Sequence, residues 1–260
     1  MTTIGLSHRN YLINGQNGSV GTLLKYYFKN IKDLNLLKYS SESDVLLHLA
    51  ASTEDGRILG SNIEYLVKIV NYCLDNNIKN LVFFSSASVY GKQSKLNIEE
   101  EGGSYHLDLY GSSKLFAEQY LKSITSLNVL VLRFPAILTN KDNTYISRIL
   151  NDLRNNRSIC LSNHNKQFNN FISVKDIALF INNYDFSDKY TVLNFASDQR
   201  QTLGDIVFYM RDLLKSKSIL SFDTSKRDYY NISIDKLKYV FNFTPLGYKE
   251  SLKMWIEGYK

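Results

Sequence analysis

Cysteine, proline and long apolar runs are scarce in this chain of 260 residues, which has two cysteines and two prolines. Cys73 and Cys160 lie far apart and match no metal-ligand spacing, nor do the four histidines, so no metal site is predicted. No apolar run approaches the ~18 residues of a membrane helix. The N-terminus lacks the apolar stretch of a signal peptide, so a cytoplasmic location is expected.

A concentrated basic surface is also missing, although the net charge is +6. Lysine and arginine are scattered, with no run of five or more, whereas a nucleic-acid binder usually gathers them in a patch. A hydrophobic content of 44% with 22% charged residues is typical of a globular protein. The positive excess favours anionic small molecules such as dinucleotides and sugar diphosphates.

The first half of the chain alternates short apolar runs with helical periodicity. Strands are predicted at residues 11–14, 45–50, 81–85 and 129–133, and helices at residues 20–29, 61–76 and 110–122. Strands separated by helices of this length imply right-handed crossovers and a parallel sheet covered on both faces. The pattern predicts an α/β, doubly wound, Rossmann-like fold.

The second half is less regular and predicts a smaller lobe. Helices are expected at residues 146–155, 203–215 and 251–259, and short strands at residues 171–174 and 192–195. We expect residues 1–135 to form the dinucleotide-binding core, with residues 166–195 returning to it. Residues 136–165 and 196–260 are expected to form the small substrate-binding lobe.

A spaced glycine triplet follows the first strand directly and opens the first helix. The first glycine permits a tight turn, the second lets the backbone approach a pyrophosphate, and the third lets helix and strand pack closely. Free N–H groups at the helix N-terminus favour the phosphates. The residues expected to bind the dinucleotide here are Gly15, Asn17, Gly18, Ser19, Val20 and Gly21.

The region after the first helix bears on the choice of cofactor. Residues 30–44 leave room only for a compressed strand near residues 34–39, and no Asp or Glu ends it for the ribose hydroxyls. Lys32 and Lys38 lie nearby, and a lysine at a ribose 2′-phosphate favours NADP, although both are equally well explained as surface lysines. NADP(H) is therefore expected over NAD(H).

Tyr110 and Lys114 are four residues apart on a predicted helix and so share one face. A nearby ammonium favours the phenolate, which brings tyrosine towards the range useful for proton transfer. Upstream, Ser85 and Ser86 run off the end of a buried strand, at the edge where open parallel sheets bind ligands. A hydroxyl there can bond a reacting carbonyl or alkoxide.

Taken in this order, the motifs resemble those of the extended short-chain dehydrogenases/reductases of the NAD-dependent epimerase/dehydratase group, which act mostly on nucleotide sugars. The resemblance covers essentially the whole chain. It is carried by Gly15, Gly18, Gly21, residues 48–51, Asn62, residues 85–91, Tyr110, Lys114, and residues 133–135, 170–177 and 193–197.

The resemblance implies roles for particular residues. Ser86, Tyr110 and Lys114 would be catalytic, and Tyr110 and Lys114 would also contact the cofactor. Further cofactor contacts would come from Leu49, Ala50, Ala51, Ser85 and Phe134. Substrate contacts would come from Ser86, Ser88, Tyr110 and Asn169, the last standing where the family commonly has a phosphate-binding arginine. Contacts with a substrate diphosphate would then come from elsewhere, and the candidates are Arg148, Arg154, Arg157 and Arg227. Family members often pair through two helices, so a homodimer is expected.

Departures from the family pattern narrow the reaction. Dehydratases carry an Asp-Glu pair where this chain has Ala87 and Ser88, which cannot do acid–base work at neutral pH. The compressed region after the first helix resembles that of some 4-keto-sugar reductases. The sequence therefore predicts a reductase of a nucleotide-linked 4-keto sugar with Tyr110 as proton donor. The alternatives are a nucleotide-sugar 4-epimerase and, from another class, a non-catalytic dinucleotide sensor.

Overall fold

The fold is described from a computed structural model, over residues 9–37, 43–93, 96–139, 144–198, 201–223 and 229–258. Within these residues, six strands form one parallel sheet in the order β10-β6-β4-β3-β1-β2. The strands are β1 (Tyr11–Asn14), β2 (Ile31–Asp33), β3 (Val45–His48), β4 (Asn80–Ser86), β6 (Asn128–Phe134) and β10 (Tyr190–Asn194). The predicted doubly wound α/β architecture is confirmed, and all six carboxyl ends lie at one edge.

The sheet is covered by helices on both faces because its strands are apolar on both sides. Leu47, Val82 and Leu130 point to the face covered by two helices, and Leu46, Leu81 and Val129 point to the face covered by the other two. The first pair is α1 (Ser19–Leu24) and α5 (Val174–Asn183), and the second is α2 (Tyr65–Asp75) and α3 (Leu109–Lys122). No helix in the described part of the chain has the length and apolar character needed to cross a membrane.

A third apolar cluster lies beyond the sheet. Trp255 is buried in it, and its indole N–H donates to the carbonyl of Thr139 at 2.9 Å. The helices that contribute are α4 (Tyr145–Arg154), α6 (Leu203–Leu214) and α8 (Tyr248–Glu257), and α7 (Asp235–Tyr239) precedes α8. Short parallel pairs join β5 (Asn97–Ile98) to β12 (Asn231–Ile232), β7 (Ala136–Ile137) to β9 (Phe171–Ile172), and β8 (Ile159–Ser162) to β11 (Leu220–Asp223).

Two elements of the first half differ from prediction. Helix α1 ends at Leu24 rather than at residue 29, because the next residues form tighter turns. The second strand lies at residues 31–33 rather than at 34–39, because Ile31 and Asp33 pair with Tyr11 and Ile13 of β1. The apolar residues that suggested the later position follow the strand, and residues 38–39 lie outside the described ranges.

Candidate active site

A cavity of about 870 Å³ opens at the carboxyl edge of the sheet, where the third apolar cluster meets it. Its size suits a ligand larger than a simple sugar. The predicted residues that line it are Ser86, Ser88 and Phe134. It is also lined by Lys92, Gln93, Tyr145, Cys160, Lys166, Phe168, Asn170, Tyr229 and Tyr230, among others. The lysines are its charged lining residues, so the cavity suits an anionic ligand.

Ser86 ends β4 and forms the N-cap of the short helical turn Ala87–Tyr90. Its Oγ accepts a hydrogen bond from the Ser88 backbone N–H at 3.1 Å and donates to the Ser88 Oγ, also at 3.1 Å. A further hydrogen bond links Ser86 to the Tyr110 side chain. The turn thus fixes a hydroxyl at the cavity wall, within hydrogen-bonding reach of the phenol. Tyr110 itself is not among the lining residues and meets the cavity through Ser86.

Tyr110 and Lys114 lie on one face of α3, as their spacing predicts. The Lys114 Nζ is 5.8 Å from the centre of the Tyr110 ring and 4.7 Å from that of Phe83. It donates to the carbonyl oxygen of Phe84 at 2.8 Å rather than to the phenol. The structure therefore brings Ser86, Tyr110 and Lys114 together at one strand end, with the ammonium tied to the sheet backbone.

Burial dominates the protonation of this cluster. It raises the pKa of the Tyr110 phenol, and the hydrogen bond with Ser86 works in the opposite direction. Burial lowers the pKa of Lys114 to about 8, although the nearby Glu118 carboxylate raises it. At neutral pH the phenol is thus protonated and the ammonium still charged, which suits a proton donor beside a fixed positive charge.

His48, within β3, is a hydrogen-bonded core residue. It is 1% exposed, and its Nδ1 lies 2.7 Å from the Asn14 Oδ1. Burial, with the charge of Lys114 as a second cause, lowers its pKa to about 3. His48 is therefore neutral, and its Nδ1–H donates a hydrogen bond to the Asn14 side chain.

Close packing at the start of α3 places the phenol. Gly111 follows Tyr110, and a Cβ on it would lie only 2.4 Å from the carbonyl oxygen of Ser88. Asp108 caps this end of the helix by accepting from the Gly111 N–H at 2.6 Å. Asn62 donates to the Ser113 Oγ at 3.0 Å and so ties α3 to the turn that precedes α2. The site therefore depends on a backbone contact that only glycine permits.

The glycine loop fits a dinucleotide. Gly15 has a φ of +91°, in the left-handed region, and a Cβ on it would lie 2.8 Å from the Ala50 nitrogen. A Cβ on Gly21 would lie 2.3 Å from the Gly15 carbonyl oxygen, so this glycine lets the helix pack on the loop. Gly18 is exposed, its N–H donates to the Gly15 carbonyl oxygen at 3.0 Å, and a Cβ on it would lie 3.2 Å from that oxygen.

The other predicted cofactor residues lie around this loop, with two qualifications. Asn17 and Ala51 are exposed, and Ser19, Val20, Leu49 and Ala50 are half-buried beside it. Ser85, however, is 5% exposed, and its hydroxyl donates to Glu118. Phe134 is 3% exposed and packs on the Phe84 ring. Their side chains support the site, and Phe134 also reaches the cavity wall.

The structure corrects the prediction for Asn169. Its side chain is fully buried, its Nδ2 donates to the carbonyl of Ile232 at 2.7 Å, and its Oδ1 accepts from the Ile232 N–H at 3.1 Å. Both polar atoms of this amide are thus bonded to β12, and Asn169 is not among the residues that line the cavity. Asn170 lines the cavity instead, with an Oδ1 that is buried and has no hydrogen-bond partner among the described residues.

An acid at the end of β2 was missed. Asp33 is the last residue of that strand and follows Gly15 at about the spacing expected of a ribose-binding acid. It forms an ion pair with Lys25 and is half-exposed. The premise that no acid ends the second strand was therefore wrong, because the strand lies three residues earlier than its apolar pattern suggested.

The expected phosphate-binding arginines are also elsewhere. Arg154 donates to the Ile256 carbonyl, Arg157 pairs with Asp152, and Arg148 does not line the cavity. Arg227 lies outside the described residues. Lys92 and Lys166 supply the positive charge of the lining, which the sequence could not single out among scattered lysines.

Comparisons with known proteins agree with this fold. The model of the NAD dependent epimerase/dehydratase family matches residues 1–193. The ADP-L-glycero-D-manno-heptose-6-epimerase of Brachyspira hyodysenteriae (strain ATCC 49526 / WA1) is 24% identical over 222 residues, covering 77% of this chain and 69% of that protein. The chain belongs to the NAD dependent epimerase/dehydratase family, and the prediction of an enzyme of this family is confirmed.

Solved structures share the fold over nearly the whole chain. RMD from Pseudomonas aeruginosa, complexed with NADPH, is 20% identical with a TM-score of 0.77, covering 96% of this chain and 98% of that one. The UDP-glucuronic acid 4-epimerase of Bacillus cereus, in complex with UDP-glucuronic acid and NAD, is 15% identical with a TM-score of 0.74, covering 95% and 98%. These neighbours bind NADPH in one case and NAD in the other.

The contact at Gly111 gives a first prediction. Gly111→Ala should lower both the melting temperature and turnover, because the added methyl group cannot fit beside the Ser88 carbonyl. This is expected although alanine in a helix interior is otherwise favoured over glycine by about 1 kcal/mol. A shift of Tyr110 should cost roughly 10-fold or more in kcat. The measurements are thermal unfolding and initial rates.

Gly247→Ala is the matched control, since a Cβ there would meet nothing within 4 Å. It should leave both quantities near their wild-type values. If Gly111→Ala behaved like the control, the close approach of α3 to the Ala87–Tyr90 turn would have no role in placing the phenol.

Proposed function

We propose that this chain is a nicotinamide-dependent reductase of a nucleotide-linked 4-keto sugar. The observation that carries the proposal is a phenol, protonated at neutral pH, that is hydrogen-bonded to Ser86 at the wall of a cavity with lysines as its charged lining residues. In reduction, Tyr110 donates its proton to the keto oxygen while Ser86 holds that oxygen. A bound nicotinamide supplies the hydride in this chemistry.

Lys114 and the glycine loop would hold the cofactor. The backbone of Gly15, Gly18 and Gly21 would hold the pyrophosphate. Lys114, which lies near the Tyr110 ring and bonds the Phe84 carbonyl, would orient the nicotinamide ribose. The lobe formed by residues 136–165 and 196–260, with the core at residues 1–135 and 166–195, would bind the nucleotide part of the substrate. Lys92 and Lys166 would face its diphosphate.

The segment that would contact the adenosine of the cofactor is short, which supports a reductase over a 4-epimerase. Strand β2 has three residues, and β3 begins twelve residues after its end, which leaves little protein to grip the adenosine. A reductase releases its oxidised cofactor in every turnover, whereas an epimerase retains it.

Ala87 and Ser88 make water elimination an unsuitable reaction for the site. Ala87 is 8% exposed, and the Ser88 hydroxyl bonds Ser86. Neither offers the acid–base pair that a dehydratase needs, as the sequence already indicated.

We also propose a homodimer formed through α2 and α3. Val67 and Leu74 on α2 are 37% and 44% exposed, and Leu109 and Phe116 on α3 are 45% and 56% exposed. Apolar side chains exposed on two helices of one face are typical of a surface that a partner covers. The cytoplasmic location stays a prediction from the sequence.

For the cofactor, Asp33 favours NAD(H), against the expectation of NADP(H). A carboxylate at this place bonds ribose hydroxyls and repels a 2′-phosphate. Wild-type protein is therefore expected to bind NADH more tightly than NADPH. Asp33→Ser should weaken NADH binding and strengthen NADPH binding, as measured by fluorescence titration. Asp75→Ser, at the exposed end of α2, is the control and should change neither affinity. Tighter NADPH binding by the wild type would restore the NADP expectation.

Turnover distinguishes reductase from epimerase. Purified protein incubated with reduced cofactor and a nucleotide 4-keto-6-deoxysugar should consume the cofactor in proportion to the hydroxy-sugar formed. Absorbance of the reduced nicotinamide and mass spectrometry of the sugar nucleotide give the two amounts. Isomerisation of a nucleotide sugar without net change in the cofactor would instead establish the epimerase.

Tyr110→Phe separates an enzyme from a non-catalytic sensor. Removing the phenol oxygen should lower kcat by about 100-fold or more, because the proton donor is lost. Cofactor affinity should stay near that of the wild type, since the glycine loop and Lys114 are unchanged. Tyr120→Phe, near the other end of the same helix, is the matched control and should keep full turnover. A sensor would respond to neither substitution.

A further inference from the structure

A row of buried polar side chains crosses the sheet just below the catalytic edge. Ser85 of β4 stands in register with Arg133 of β6, and Arg133 with Asn194 of β10. They are 5%, 8% and 0% exposed. The residues two and four positions before Ser85 and Arg133 pack in the core beneath α2 and α3, so the row faces the helix that carries Tyr110.

Glu118 of α3 covers this row and is 1% exposed. The Ser85 hydroxyl donates to its Oε1 at 2.5 Å, and the Arg133 Nη2 donates to its Oε2 at 2.6 Å. The other side of the guanidinium donates to the Tyr90 hydroxyl at 2.9 Å and to the Glu100 carbonyl at 2.7 Å. The charged groups are thus paired and hydrogen-bonded, as buried charges must be.

The last three residues of β4 each bond a residue of α3, and these three residues of α3 follow one another at intervals of one helical turn. Ser86 bonds the Tyr110 side chain, and the Phe84 carbonyl accepts from Lys114. Ser85 bonds Glu118, the next residue on the same face. Because Arg133 and β6 hold Glu118 from a second strand, this contact fixes α3 against both sliding and rotation.

We propose that Glu118 and Arg133 are positioning residues that hold Tyr110 and Lys114 in register with the end of β4. The inference rests on the proposed function, because it assigns the pair a part in cofactor binding and proton donation. Neither residue is among those that line the cavity, so they act through α3 rather than on the substrate.

Glu118 also affects the protonation of Lys114. The titratable groups that interact with Lys114 are Tyr110 and Glu118 on α3 and His48 on β3, and Arg133 on β6 pairs with Glu118. His48 is neutral, and Glu118 is the acidic member, which raises the pKa of Lys114 against the larger effect of burial. Without this carboxylate, Lys114 should lose its proton at a lower pH.

Affinity for NADH as a function of pH tests the inference without any sugar substrate. In the wild type, binding should weaken as Lys114 is deprotonated, near its pKa of about 8. In Glu118→Gln this loss should move to lower pH by roughly one unit, and kcat should fall. The readout is fluorescence titration on protein shown by circular dichroism to be folded.

Two further variants keep the test decisive. Asp176→Asn removes an equally buried carboxylate from α5, on the opposite sheet face, and should leave the pH curve unchanged. Glu118→Leu with Arg133→Met removes both charges and should fold even where the single variant does not. Its pH curve should still be displaced to lower pH.

The outcomes are distinguishable from failure of the proposed function. If the wild type bound no dinucleotide, the proposed function would be wrong. If it bound NADH but Glu118→Gln and the double variant followed the wild-type curve with unchanged kcat, the pair would be a structural ion pair only, and the inference would be overturned.

Discussion

The docking of α3 on the end of β4 is the constraint on which this site depends. Tyr110 and Lys114 have useful positions only because the helix lies against the strand that supplies Ser86 and the Phe84 carbonyl. Gly111 makes this docking possible, since its missing side chain lets the helix approach the Ser88 backbone. The parallel sheet completes the site, because the glycine loop and the end of β4 both lie at its carboxyl edge.

Burial at this edge then determines the chemistry. A solvated tyrosine and lysine would be an ordinary pair of surface residues, with little influence on each other. Here burial raises the pKa of the phenol and lowers that of the ammonium to about 8. The phenol is consequently held as a proton donor, and the lysine is held close to its titration range. The nearby His48 is kept neutral by the same effect and remains a structural residue.

Features that follow from local sequence order could be predicted from the sequence. Features that depend on which strands are neighbours in the sheet could not. Strand β1, Tyr110 and Lys114 follow from periodicity and spacing along the chain. The short strand β2 was placed too late, because its position is set by pairing with β1 rather than by its own apolar residues. Asp33, the acid that ends this strand, was missed for that reason.

The choice between Asn169 and Asn170 illustrates the same limit within a single dipeptide. Both side chains are amides with the same chemistry. Only the position of β12 decides that the Asn169 amide is hydrogen-bonded to the Ile232 backbone while Asn170 lines the cavity. Glu118 and Arg133 lie 15 residues apart in different elements, and only the fold shows that they meet. The sequence thus predicted the cluster of Ser86, Tyr110 and Lys114 but not the contact between Glu118 and Arg133.

The most direct measurement of the central claim is a crystal structure of the chain with oxidised nicotinamide cofactor and a nucleotide sugar bound together. The account predicts the pyrophosphate on the Gly15–Gly21 backbone and the Tyr110 hydroxyl about 3 Å from a sugar oxygen that also contacts Ser86. A sugar bound away from Ser86, or a Tyr110 ring turned from the bound ligands, would contradict it.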